Sequence, residues 1–92
     1  MIKSYRNKAL RQFAERGDAS KLSVQNAPRL QRILNALDGA GRPEDLNLPG
    51  LRFHSLKGDA KGRYAVDASG NWRITFGWRD TDAIELDLED YH

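Results

Sequence analysis

The stretch WRITFGWR, residues 72–79, alternates without a break: Trp72, Ile74, Phe76 and Trp78 on one side, Arg73, Thr75, Gly77 and Arg79 on the other. A period of two sustained over this length is the pattern of a strand with one face on a core and one face open. Its neighbour repeats it. AIELDLE (83–89) sets Ile84, Leu86 and Leu88 inward and Glu85, Asp87 and Glu89 outward, with RDTD as the turn between. Upstream, LRFHSL (51–56) and RYAVDA (63–68) are further candidate strands, separated by the glycine-bounded turn KGDAKG and followed by the turn signal SGN. With Leu51 and Phe53 on the core side, Arg52 and His54 stand on the same open face as Arg73. These readings predict an antiparallel meander.

The first half of the chain follows the other period. Leu30, Ile33, Leu34 and Leu37 fall at i, i+3, i+4 and i+7 and predict a helix over about residues 25–37, with Arg29, Gln31, Arg32 and Asn35 pointing away. Pro28 fits in its first turn, where a missing N–H costs no helical bond. An earlier helix is predicted over 5–16, capped by Ser4, stopped by Gly17 and carrying Ala9, Leu10, Phe13 and Ala14 on one face. Residues 2–4 read as a short N-terminal strand, and DGAGRPEDLNLPG as the loop from helices to sheet. Two amphipathic helices against one antiparallel sheet make an α+β fold, expected as a single domain over 1–92.

Ninety-two residues bury only about two-thirds of their unfolded surface, so one core must suffice. There are no cysteines, which excludes disulfides and thiolate metal sites, and two histidines alone are too few for structural zinc. No apolar run approaches a membrane span, and MIKSYRNKAL lacks the apolar stretch of a signal peptide, so a cytoplasmic protein is expected. Charge is divided sharply. Residues 1–79 hold all 15 Lys and Arg against seven acids, while residues 80–92 hold six acids and no base. A basic body suits a polyanion such as RNA. The acidic strand reads as a solvated face or as a contact for a basic protein partner.

Nucleotide, nucleophile and metal motifs are absent: no GK[ST], HExxH, GxSxG or GxGxxG. The polar residues of the sheet half are His54, Lys57, Lys61, Arg63, Asn71, Arg73, Asp90, Tyr91 and His92. That set suits RNA cleavage by the RNA's own 2′-hydroxyl, which needs a base, an acid and cations rather than a metal. An imidazole ordinarily titrates near pH ~6.5 and can serve as either base or acid. Arg and Lys stabilise charge that grows on the phosphorane, and Tyr offers a hydroxyl or a stacking face. By default each is also an ordinary surface residue. Trp72 and Trp78 share the phase of Ile74 and Phe76, which assigns them to the core.

MIKS at the start, HSLKGD (54–59), NWRITF (71–76) and the final EDYH resemble, in this order and spacing, the HigB toxins of bacterial toxin–antitoxin systems, within the RelE superfamily. The resemblance covers the whole chain. It implies a compact RelE-like fold and a ribosome-dependent endoribonuclease that cuts mRNA in the A site without metal or cofactor, inhibiting translation. It also implies a cognate HigA-like helix-turn-helix antitoxin, operator DNA bound only through that antitoxin, and no membrane partner. By motif position the site falls on His54, Lys57, Asn71, Arg73, Asp90, Tyr91 and His92. His54, Asp90 and His92 would share the proton transfers, and Lys57 and Arg73 would hold the scissile phosphate. Tyr91 would position or stack on the substrate, and Asn71 with Lys61 and Arg63 would contact RNA. Which histidine is base and which acid stays open. A non-catalytic RNA- or ribosome-binding module on the same scaffold is the alternative, and a free-standing ribonuclease a third reading.

Two departures from the family pattern stand out. Ser55 replaces the proline of HPLKGD, which would loosen that strand edge. Leu88 replaces the aromatic often found two residues before the tail's aspartate, which bears on stacking near the site.

Overall fold

In the computed structural model, residues 1–90 are described. Within them, α1 (Lys8–Arg16) and α2 (Ala27–Gly39) pack on one side of a four-stranded antiparallel sheet in the order β1 (His54–Ser55), β2 (Arg63–Ser69), β3 (Trp72–Arg79), β4 (Asp82–Asp90). The α+β meander expected from the alternating periods is what forms. Leu10, Leu30, Ile33 and Leu37 from the helices meet Val66, Ile74, Phe76 and Leu86 from the sheet, all at 2% exposure or less. The helix-to-sheet loop contributes as well: its 3₁₀ turn, Pro43–Leu46, drives Leu46 fully into the core. Phe53, Tyr64 and Phe76 stack in file along the core side, with successive ring centroids 5.7 Å apart, and Trp78 meets Phe76 edge-on at 6.3 Å.

The N-terminal helix starts later than its periodicity suggests, and the reason lies on the far side of the sheet. Residues 2–6 run alongside β4, where Lys3 N–H donates to the Ala83 carbonyl (2.8 Å), Leu86 N–H to Ser4 (3.1 Å) and Arg6 N–H to Leu86 (2.7 Å). Backbone groups committed to β4 cannot turn helical. The cap is therefore Asn7, whose Oδ1 accepts from Leu10 N–H at 2.8 Å, and not Ser4. Gly17 closes the helix as expected, in the left-handed conformation (φ 70°), with its N–H on the Phe13 carbonyl.

Ser4 is used elsewhere. Between the pairs Thr75↔Asp87 and Gly77↔Ile84, β4 sets Glu85 and Leu86 against the single residue Phe76, a β-bulge. Glu85 sits at φ 51°, and its N–H donates to Ser4 Oγ at 2.9 Å. Its carbonyl accepts from Arg63 at 2.8 Å, so both backbone groups of the bulged residue are satisfied. The bulge shifts the phase of the strand before it. Ala83 rather than Ile84 enters the core, and Ile84 lies on the open face against Gly77. Strict alternation through 83–89 places Ile84 wrongly because a bulge leaves no mark in a hydrophobic pattern.

Three further expectations change. LRFHSL pairs as a strand only at His54–Ser55, because Arg52 turns into the left-handed region (φ 52°) and interrupts the extended run. Arg29 does not point to solvent. It clamps α2 to the loops, donating from Nε to the Ala68 carbonyl (2.6 Å) and from Nη2 to the Gly50 carbonyl (2.7 Å). Leu88 lies in the core, so the missing aromatic at that position does not touch the open face. Ser55 pairs in register with Tyr64 and is the last residue of β1, the edge strand of the sheet.

Candidate active site

The helix-free face of the sheet is built from three cross-strand rows that the register defines. His54, Ala65, Thr75 and Asp87 form the middle row. Asp67, Arg73 and Glu89 form the row nearest the β2–β3 turn, and Arg63, Gly77 and Ile84 the row at the other end. Neighbours within a row lie about 5 Å apart, and rows about 7 Å apart along the strands. His54 therefore stands two strands away from Thr75, and two strands and one row away from Arg73. The expectation that His54 and Arg73 share the open face agrees with this register.

The orientation of His54 is held by its own loop. Its Nδ1 lies 2.9 Å from the Arg52 carbonyl oxygen. A carbonyl can only accept, so Nδ1 carries the proton, and in the neutral ring Nε2 keeps its lone pair. The left-handed backbone at Arg52 aims that carbonyl, and the Arg52 guanidinium reaches Asp67 on β2 at 3.7 Å. The His54 side chain is half-buried.

Arg63 lies across β3 in the space that Gly77 leaves. A Cβ at Gly77 would stand 3.7 Å from the Arg63 guanidinium and 3.3 Å from Ile84. From there Arg63 Nη2 donates to Thr75 Oγ1 (3.2 Å) and to the Glu85 carbonyl (2.8 Å). The Thr75 hydroxyl donates in turn to Glu89 Oε2. Thr75 is fully buried, although it lies on the polar face. Burial pushes the Arg63 pKa down and Arg6 adds repulsion, while Glu85, Glu89 and Asp87 oppose both. Even so lowered, a guanidinium remains charged at any pH at which the fold is used.

The remaining candidates sit at the two ends of this face. Lys57 and Lys61 are exposed and flank the 3₁₀ turn Gly58–Ala60, at the end that carries Arg63. Asn71 is exposed in the tight turn between β2 and β3. Asp90 is exposed at the end of β4, paired with Trp72 and so opposite in phase to Arg73. The two ends are separated by roughly 17 Å of strand. Tyr91 and His92 lie outside the described residues. The sheet thus gathers His54, Arg63 and Arg73, with lysines beyond one end and Asn71 and Asp90 beyond the other.

Sequence reasoning placed Thr75, Glu89 and Arg52 on the open side but gave them no part in the site. The outward phase of Thr75 and Glu89 was legible, but the hydrogen bonds that bury Thr75 depend on the bulge and on Gly77. Among the described residues, no three His, Cys, Asp or Glu side chains come together as metal ligands. None of the described helices is long and apolar enough to cross a membrane.

Comparison with known proteins agrees with this architecture. Residues 3–92 match the family described as RelE-like toxin of type II toxin-antitoxin system HigB. The chain is 39% identical over 92 residues to a Proteus vulgaris protein named Endoribonuclease HigB, covering 100% of both chains. It is also 34% identical over 93 residues to Toxin HigB-1 of Vibrio cholerae serotype O1, covering 97% of this chain and 96% of the relative.

Proposed function

The chain belongs to the HigB family of RelE-like toxins, and from that premise we propose that it is an endoribonuclease acting on mRNA in the ribosomal A site. The reaction is attack of the RNA's own 2′-hydroxyl on the adjacent phosphate, with release of the 5′-oxygen and no metal. The observation that carries this reading is one sheet face that holds His54, its Nδ1–H on the Arg52 carbonyl, together with Arg63 and Arg73. His54 Nε2 takes the 2′-hydroxyl proton. Arg73, helped by Lys57, bears the charge that develops on the phosphorane. His92 and Asp90 complete the proton transfers, and Tyr91 supports the substrate. Asn71, Lys61 and Arg63 contact the RNA on either side.

Ribosome dependence is part of the same proposal and is supported by membership of the HigB family, in which the resemblance implies that the ribosome presents the strand. A cognate HigA-like helix-turn-helix antitoxin is the expected protein partner, with operator DNA reached only through it. The site of action is the cytoplasm.

The alternative, a non-catalytic RNA- or ribosome-binding module, draws on one observation: Arg63 and Arg52 are already engaged within the protein. One assay separates these readings. Messenger RNA is offered naked and on programmed ribosomes, and cleavage is followed for wild type, His54→Ala and a form lacking residues 90–92. The proposal requires cleavage on ribosomes alone, and its loss in both variants. Ribosome binding by wild type without cleavage would establish the module, and equal cutting of naked RNA would establish a free-standing ribonuclease.

A further inference from the structure

An unusual piece of backbone lies just before β1. Among the described residues, three other than glycine have left-handed backbone: Arg52, Asp80 and Glu85. Asp80 belongs to the turn between β3 and β4, and Glu85 to the bulge, where the pairing itself requires it. Arg52 is in neither, so its φ of 52° needs another cause. A residue with a side chain persists in that region only where its surroundings hold it, and such positions cluster at working sites. Here one residue of β2 supplies both restraints. Asp67 N–H donates to the Leu51 carbonyl at 2.7 Å, and the Asp67 carboxylate meets Arg52 Nε at 3.7 Å. Leu51 is itself buried in the core, so the step from Leu51 to Arg52 is anchored on both sides. The group that this conformation aims is the Arg52 carbonyl oxygen, 2.9 Å from His54 Nδ1.

From this arrangement we infer that the main-chain carbonyl of Arg52 is the positioning group for His54, and that Asp67 keeps it aimed by holding Arg52. The inference rests on the endoribonuclease reading, which gives His54 a proton to move. A carbonyl accepts and cannot donate, so it keeps the hydrogen of the neutral ring on Nδ1. Nε2 is then the nitrogen that takes the 2′-hydroxyl proton, while Nδ1 keeps its own. Once the ring is charged, the bond from Nδ1 to the carbonyl becomes charge-assisted and stronger. The carbonyl therefore does two things: it selects the reacting nitrogen, and it favours the imidazolium that forms. The Arg52 side chain is 80% exposed, so its ion pair adds little to stability. Its contribution is the direction it gives the backbone.

Asp67 is also the register partner of Arg73, so a rate alone does not separate an effect on His54 from one on Arg73. The test therefore reads the ring as well, on variants that unfold as cooperatively as wild type. The first readout is the ¹⁵N signature of the neutral His54 ring in the free protein. It is recorded about two units above an ordinary imidazole pKa and assigned by its absence in His54→Ala. The second is single-turnover cleavage of mRNA on saturating programmed ribosomes. Arg52→Val and Arg52→Asn both remove the guanidinium, but Asn tolerates the left-handed region and a β-branched Val does not. Wild type should show hydrogen on Nδ1. Arg52→Val should shift it toward Nε2 and slow cleavage about tenfold or more. Arg52→Asn and Asp67→Ala, which remove only the ion pair, should keep most of the Nδ1–H form and slow cleavage about two- to fivefold. Hydrogen on Nε2 in wild type would overturn the inference, as would an Nδ1–H ring and wild-type rate in Arg52→Val. Arg52→Asn as slow as Arg52→Val would give the role to the guanidinium instead, and an unchanged Asp67→Ala would remove Asp67 from the device. If Arg52→Val does not fold, the wild-type ring and Asp67→Ala decide. If wild type itself fails to cleave on ribosomes, the endoribonuclease reading fails, and the ring signature alone decides whether His54 is positioned.

Discussion

The two faces of one sheet are made from the same strands, yet they obey different rules. On the covered face the apolar Val66, Ile74, Phe76 and Leu86 are packed against the helices. On the open face, one residue along in each strand, His54, Arg63, Arg73 and Glu89 are held by hydrogen bonds and by register. A period of two lets a chain of this size separate stability from chemistry, since neither set of residues borrows from the other. Thr75 is the exception that joins them, buried like the core and hydrogen-bonded like the site.

That separation can be broken at several points. Phe76→Ala removes a fully buried ring from the middle of the aromatic file and should cost about 3–5 kcal/mol by urea denaturation. Whatever fraction stays folded should keep its cleavage rate; a loss of rate in fully folded Phe76→Ala would mean the faces are coupled. The mirror experiment is Arg73→Ala, for which cleavage on ribosomes should fall by about a hundredfold or more. Its denaturation midpoint should move far less than that of Phe76→Ala. A large fall in stability with the rate preserved would make Arg73 a structural residue.

Arg29→Ala tests the helix layer alone. Removing a guanidinium that serves the carbonyls of Ala68 and Gly50 should cost about 2 kcal/mol. Toxicity should persist, measured as growth arrest on expression. Smallest is Asn7→Ala, which unmakes the cap of α1 and should cost about 1 kcal/mol, with Ser4→Ala affecting the bulge rather than helix content. A drop in helicity in Ser4→Ala matching that of Asn7→Ala would contradict the cap assignment.

Much of this contrast was legible in the sequence, because alternation in WRITFGWR states directly which side chains share a face. The open-face company of His54 and Arg73 follows from phase alone. The stripe Leu30, Ile33, Leu34, Leu37 likewise gives α2 and its buried side. What stayed hidden depends on contacts between distant segments. Ser4 looks like a helix cap because nothing local says that residues 2–6 will lie along β4. Ile84 reads as inward because the bulge at Glu85 comes from a pairing and not from a pattern. Arg29 reads as solvated because its carbonyl partners, Gly50 and Ala68, lie far along the chain. At the site, the residue types were legible and the hydrogen bonds holding them were not: the carbonyl that sets His54 and the hydroxyl that fixes Glu89 appear only when the strands pair.

The central claim is that the open face promotes attack by the RNA's own 2′-hydroxyl, and one substrate tests it. A messenger carrying a single 2′-deoxynucleotide on the 5′ side of the cut is loaded on ribosomes beside its all-ribose counterpart. The account predicts cleavage of the ribose messenger to a 2′,3′-cyclic phosphate end, and no cleavage at the deoxy position. Cutting of the deoxy messenger at the same bond would contradict it, because the nucleophile would then have come from water or from the protein.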